Sequence, residues 1–271
     1  MKKTLQYFIL PFCVFLSVQT FSQSLDTTIY IQSDILGETR SVTIGLPSGY
    51  YNSNKTYGSL YVLDAENKYN ICRAAHQFFE ISTRIPGSIM VAIANSSKEN
   101  RNRDLLPPNF GGSDSLFRAF VEKEVMPYIE KNYRVNEDRT LSGHSHGGVF
   151  TVMTLLKRPD LFERYIAIDG SFQIINSNLP DSLTMDFTGK SLYICSSDGL
   201  YGYGEDISFD MKTNNMIFQN YLKRARNSNT GLRFYAEHIQ DDHSHVLITG
   251  FQRGYRWVMD WPISEGTLRK Q

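Results

Sequence analysis

The chain has 271 residues, 41% of them hydrophobic and 21% charged, which is enough length for a sizeable buried core and too apolar for disorder. Twenty-eight Lys+Arg against 28 Asp+Glu give a formal charge of zero, so no basic footprint points to nucleic acid. Aromatic residues make up 13%, with 16 Tyr and 17 Phe, a supply that needs a use.

Residues 1–22 read as a secretory signal peptide. Lys2 and Lys3 form a positive start, residues 7–18 are apolar, and Thr20-Phe21-Ser22 offers small residues at a cleavage site before Gln23. Pro11 interrupts the apolar run, which is shorter than the roughly 20 residues a membrane span needs. Losing two lysines leaves a mature charge of −2. The expectation is an exported protein, periplasmic or extracellular, with no membrane span after cleavage.

Residues 28–32 and 40–46 alternate apolar and polar side chains, as half-exposed strands do. Residues 47–57 are rich in turn formers. Four short apolar runs follow at 59–63, 89–94, 165–168 and 192–195. Strands apolar on both faces belong to a parallel sheet covered by helices. Helical patterns fall between them. Leu116, Phe117, Phe120, Val121, Met126 and Ile129 form one stripe behind a Ser113/Asp114 cap, with Pro127 expected to kink it. Residues 147–157 predict another helix, Met216, Ile217, Tyr221 and Leu222 mark a third, and residues 246–261 a last one. The alternation implies a single α/β domain over 23–271, with helices on both faces of a mostly parallel sheet. Cys13 leaves with the leader, and Cys72 and Cys195 are expected as buried free thiols without metal-site spacing.

Residues 140–150 read Thr-Leu-Ser-Gly-His-Ser-His-Gly-Gly-Val-Phe and contain G-x-S-x-G. The motif alone is a weak signal. Its setting between an apolar stretch and a predicted helix is that of a nucleophile elbow. Gly143 and Gly147 allow the tight turn, Ser145 stands at the strand's carboxyl end, and the His146 N–H faces a developing oxyanion. A serine hydroxyl needs a base. The histidines downstream are His238, His243 and His245. His238 closes a strand-like run, 232–237, whereas His243 lies in the loop before the last helix and is favoured over His245. An acid must then hold the imidazole. Asp198 follows the apolar run 192–195 and is the first choice; Glu205 and Asp206 are the alternatives. Asp241 and Asp242 adjoin the histidine and reach it only through a local turn.

Several segments together resemble a known family. They are Asp138–Gly148, Lys157–Phe162, Leu60–Glu66, Val91–Asn95, Arg101–Leu105, Asn214-Asn215 and His243–Val246. The chain resembles the enterochelin-esterase-like and esterase-D-like group of the α/β-hydrolase superfamily over most of residues 40–260. The resemblance implies Ser145 as nucleophile, His243 as base, Asp198 as acid, and a second oxyanion N–H from Glu66 or Ala65. Three residues depart from the group's pattern: Ala65 stands for Gly, His146 for Leu or Met, and Gly170 for Pro. The ending His-Ser-His-Val is closest to the siderophore-esterase branch.

The resulting expectation is a serine carboxylic-ester hydrolase that needs no cofactor. Its substrate would be a small-molecule or glycan ester, such as a siderophore lactone or an acylated glycan. Tyr201 and Tyr203, in a Gly-rich loop, are candidate substrate contacts. One competing reading is a non-catalytic binding protein on an esterase scaffold. Another is a metallohydrolase using the pairs His144/His146 and His243/His245, since H-x-H can ligate zinc.

Overall fold

The computed structural model describes residues 25–82, 85–176, 179, 185–199, 205–226 and 230–259. The leader-like segment and the Tyr201/Tyr203 loop therefore lie outside the described residues. No helix among the described residues is long and apolar enough to cross a membrane.

Eight strands form one sheet in the order β1-β2-β4-β3-β5-β6-β7-β8. β1 (Asp26–Ser33) and β2 (Glu38–Gly45) make an antiparallel hairpin, and β2 meets β4 (Ser88–Ile93) antiparallel. The rest is parallel: β3 (Tyr57–Leu63), β5 (Val135–His144), β6 (Arg164–Ile168), β7 (Ser191–Ser196) and β8 (Arg233–His238). The split follows the sequence pattern. β1 alternates and stays largely solvated, whereas every residue of β4 and β7 is buried, as strands covered on both faces must be.

Strand alternation divides the core in two. Tyr61, Leu63, Leu141 and Ala167 face one way, toward α3 (Asp114–Phe120), α4 (Met126–Asn132), α5 (His146–Lys157) and α6 (Glu205–Arg226). Leu60, Val62, Ile166 and Ile168 face the other way, toward α1 (Ala65–Ser82) and α7 (Val246–Val258). A short polar helix, α2 (Lys98–Leu105), follows β4. Truncating a fully buried residue such as Phe120 or Ile129 to Ala would cost about 2–5 kcal/mol.

The stripe behind Asp114 is not one regular helix. A π-turn over Val121–Val125 separates α3 from α4. Pro127, without an N–H, cannot close an ordinary α turn there, which gives the expected kink a specific form. In the α6 pattern, Met216 and Ile217 are exposed; Phe218, Tyr221 and Leu222 make the buried face. α7 stops at Val258, short of the expected Trp261. Its Val246, Leu247, Phe251, Tyr255 and Val258 recur at helical spacing and are all buried. Gly250 and Gly254 let it lie against β6 and β7: a Cβ at Gly250 would come within 2.6 Å of Cys195 Sγ, and one at Gly254 within 2.6 Å of Ile166. That close seat fixes where the loop before α7 must fall. Cys72 and Cys195 are both free and buried.

Candidate active site

Three adjacent strands, β3, β5 and β6, are each followed at once by a residue with positive φ: Asp64 (59°), Ser145 (60°) and Asp169 (39°). They are the only non-glycine residues of that kind among the described residues. Such a backbone costs on the order of 1–3 kcal/mol per residue and persists only where the surroundings over-determine it. All three sit at the carboxyl edge of the sheet, where open α/β sheets place their ligands.

The elbow at Ser145 is set by crowding. A Cβ on Gly143 would lie 2.2 Å from the Gly147 carbonyl oxygen, so no other residue fits. The Ser145 N–H donates to Ile168 O (3.1 Å), and the Ser171 N–H donates to Ser145 O (3.3 Å). These bonds dock the loop after β6 against the elbow. Ser145 Oγ lies 3.4 Å from Ser171 Oγ, and Ser145 is half-buried, within reach of a ligand.

His243 arrives from the loop between β8 and α7. Its N–H donates to Gly199 O (2.8 Å), and Asp198 N–H donates to Asp241 O (2.8 Å), tying two loops together. His243 Nδ1 lies 2.7 Å from Asp169 Oδ2. A carboxylate can only accept there, so Nδ1 carries a proton, and in the neutral ring the lone pair falls on Nε2. Asp169 is 1% exposed. Its other bonds come from neutral donors: the Ser197 N–H (3.0 Å), the Ser197 hydroxyl and Asn215 Nδ2 (3.4 Å).

The carboxylate on His243 is thus Asp169, and the expectation of Asp198 there is corrected. Asp198 follows β7, one strand further out, and its Oδ1 is taken by Lys212 Nζ (2.9 Å) and His238 Nε2 (3.1 Å). Those two partners hold its carboxyl below the usual range, Lys212 foremost. Glu205 and Asp206 open α6, and the placement of their side chains lies outside what is described. Asp169 carries the same local signal as Asp198, an apolar run followed by Asp-Gly. Only the adjacency of β6 to β5 tells them apart.

The histidines flanking Ser145 do different work. His144 is buried, its Nε2 lies 2.6 Å from His243 O, and its ring centroid is 4.4 Å from that of His243. Burial, with Lys68 and His243 nearby, pushes its pKa well below the ordinary value, so it stays neutral and donates from Nε2. His146 opens α5; burial and the Arg101 charge bring its pKa down to about 4. His245 lies on the surface, bonded to Asp242 in a local turn. The two H-x-H pairs do not converge on one point. Among the described residues, the side chains close enough to share a metal are Asp241, Asp242 and His245, which form that exposed turn.

Two helices, α1 and α5, start at this edge of the sheet, and their first N–H groups lack intrahelical acceptors. In α1 the first bonds come from Asn67 and Lys68 to Asp64 O, leaving Ala65 and Glu66 without an intrahelical acceptor. In α5 the first comes from Val149 to Ser145 O, leaving His146 likewise. The Glu66 carboxylate itself accepts from Asn95 N (3.1 Å) and Asn95 Nδ2 (3.2 Å). A cavity of about 520 Å³ opens at the opposite, amino edge of the sheet. It is lined by Glu137, Asp138, Glu163, Arg164, Lys190 and Arg233, and holds no nucleophile–base arrangement.

Comparison with known proteins identifies the family and the fold. Residues 33–181, more than half of the chain, match the family Esterase, described as "Putative esterase". A crystal structure of an IroE-like serine hydrolase from Shewanella oneidensis shares 28% identity and superposes with a TM-score of 0.74 over 86% of this chain and 79% of that one. The siderophore hydrolase EstB from Aspergillus nidulans shares the fold at 18% identity, with a TM-score of 0.71 over 89% and 97%. The ferri-bacillibactin esterase BesA of Bacillus subtilis is 44% identical over 61 residues, 22% of this chain and 21% of that protein. The siderophore triacetylfusarinine C esterase of Aspergillus fumigatus is 30% identical over 160 residues, 52% and 54% of the two. The chain therefore spans about a fifth and about half of the length of these two curated relatives. The matched residues hold both the elbow at Ser145 and the Asp169 loop, and on that span the chain belongs to the Esterase family.

Proposed function

We propose that the chain is an exported serine carboxylic-ester hydrolase in which Ser145 is the nucleophile, His243 the base and Asp169 the orienting acid. The observation that carries this is the buried 2.7 Å contact of His243 Nδ1 with Asp169, on the loop hydrogen-bonded to the Ser145 elbow. Ser145 Oγ attacks the ester carbonyl carbon while His243 Nε2 takes its proton. The carbonyl electrons move to oxygen, where the His146 N–H and the Glu66 or Ala65 N–H receive the negative charge. His243 returns the proton to the leaving alcohol as the C–O bond breaks. Water then repeats the cycle on the acyl-enzyme, releasing the acid and free Ser145. Asp169 keeps the imidazole tautomer and offsets the imidazolium charge at each step.

For substrate we infer an ester-linked siderophore. The support is that relatives are ferri-bacillibactin and triacetylfusarinine C esterases. Residues 1–22 would deliver the enzyme outside the cytoplasm.

The test uses the mature chain and its Ser145→Ala variant against three ester classes: a tri-ester siderophore, a feruloylated glycan and an acetylated glycan. A serine-directed phosphonate should abolish hydrolysis and a chelator should not. The siderophore ester should be cleaved with the highest kcat/KM. Undiminished turnover by Ser145→Ala would sink the mechanism; preference for either glycan ester would sink the substrate assignment.

A further inference from the structure

The two turns that flank the proposed oxyanion site are joined by one side chain. Arg101, on α2, directs each guanidinium nitrogen to a different acceptor. Nε donates to Asp64 Oδ1 (2.6 Å), NH2 donates to Asp64 Oδ2 (2.9 Å), and NH1 reaches His146 Nδ1 (3.3 Å). Asp64 immediately precedes Ala65 and Glu66, and His146 immediately follows Ser145. Each of these residues carries an N–H without an intrahelical partner. We propose that Arg101 is a positioning residue that sets the spacing between the two oxyanion-hole N–H carriers. The proposal rests on the reading of Ser145 as nucleophile.

Several features argue for a spacer and against an incidental ion pair. An ion pair between exposed groups contributes little, but Asp64 is 2% exposed and held at a φ of 59°. Such a backbone needs fixed partners to persist. Asn95 Nδ2 adds a third bond to Asp64 (2.6 Å), and the same residue grips Glu66, so the whole turn is clamped. The base of the arm is rigid as well. Ser97 caps α2 through its bond from Asn100 N (3.1 Å), and Asp104 of α2 pairs with the fully buried Arg40 of β2. With NH1 donating to Nδ1, the neutral His146 ring is held as the Nε2–H tautomer. A lysine could supply the charge but not the three directions. Misplacing a reacting group by about 1 Å costs on the order of a hundredfold in rate.

Arg101→Lys separates the possibilities. The expected result is a fall in kcat of about 10–100-fold with KM within about twofold, since spacing matters most when the oxyanion forms. The rate of inactivation by an aryl phosphonate should fall in step, because that reaction also builds charge on the same oxygen. Asp64→Asn should lose a similar factor, and the double variant should be no slower than the worse single one. His146→Leu, which cuts only the arm to α5, should lower kcat about 3–10-fold and serves if the other variants do not fold. A raised KM with unchanged kcat would make Arg101 a substrate contact and overturn the proposal; so would unchanged kinetics or fully additive losses. Ser145→Ala, run alongside, tests the nucleophile separately. If it hydrolyses normally, the underlying reading fails; if it is dead while Arg101→Lys and His146→Leu are normal, only the spacer fails.

Discussion

Two histidine–carboxylate pairs stand one strand apart at the carboxyl edge of the sheet. Asp169 with His243 follows β6, and Asp198 with His238 lies between β7 and β8. The second pair even has a serine, since Ser196 Oγ lies 3.2 Å from His238 Nδ1. The difference lies in water and charge. Asp169 is 1% exposed, whereas the Asp198 side chain is 23% exposed and already neutralised by Lys212. His238 is 39% exposed, and its serine partner is buried within a strand. A carboxylate engaged by an ammonium and by solvent has little field left for an imidazolium. A buried one held by neutral donors keeps its charge for the histidine alone. Side-chain identity and proximity are therefore insufficient; what matters is that the charge is undivided and that the serine can be reached.

Substitutions at matching positions can break this contrast. His243→Ala should lower kcat by about 10⁴–10⁶, while His238→Ala stays within about threefold of the parent in the same steady-state assay. Asp169→Asn should cost about 10³–10⁴ in kcat, because an amide can leave the imidazole in the wrong tautomer. Asp198→Asn should change kcat by no more than about threefold. Equal losses from the two Asp variants would dissolve the distinction.

A smaller effect is expected at His144. Phe in its place keeps a ring beside His243 but leaves the His243 carbonyl unpaired, a loss of about 1–3 kcal/mol in denaturant unfolding. Gln, which can still donate, should recover most of it.

An effect of similar size is expected in pH dependence. His76 is buried, and its pKa is pushed down to about 3, chiefly by desolvation and then by Arg73; His146 lies at about 4. The folded state refuses protons that the unfolded chain accepts near pH 6.5, so stability is full above that pH and is lost as pH falls. Between pH 7 and pH 5, His76 should account for about 2 kcal/mol of loss, and the half-exposed His146 for less. Thermal melts at the two pH values check this, and His76→Gln should reduce the difference, with buried His144 and with His146 supplying what remains.

The elbow and the strands were legible because their signals are local. G-x-S-x-G between an apolar run and a helix start suffices to mark Ser145, and the loop before α7 marks His243. Asp169 was not legible, because β6 and β7 end in the same way and only the strand order separates their aspartates. Arg101 was hidden for another reason. α2 reads Lys-Glu-Asn-Arg-Asn-Arg-Asp-Leu, with no apolar stripe to announce a helix, and it is held by ion pairs to β2 and Asp64. Periodicity detects helices that bury an apolar face and is blind to one anchored by charge.

The two cysteines have a practical consequence. Burial pushes the Cys72 thiol up to about 12, and the Cys195 thiol higher still. Both therefore resist alkylation while the fold is closed. Cys72 lies in α1 and Cys195 beneath Gly250 of α7, within the layer that carries His243. Without any added label, the rate at which a small maleimide reacts with the chain from residue 23, which lacks Cys13, becomes a stopwatch for that layer lifting off the sheet. It separates motion of the α1/α7 layer from motion of the opposite one, whose core contains no thiol among the described residues.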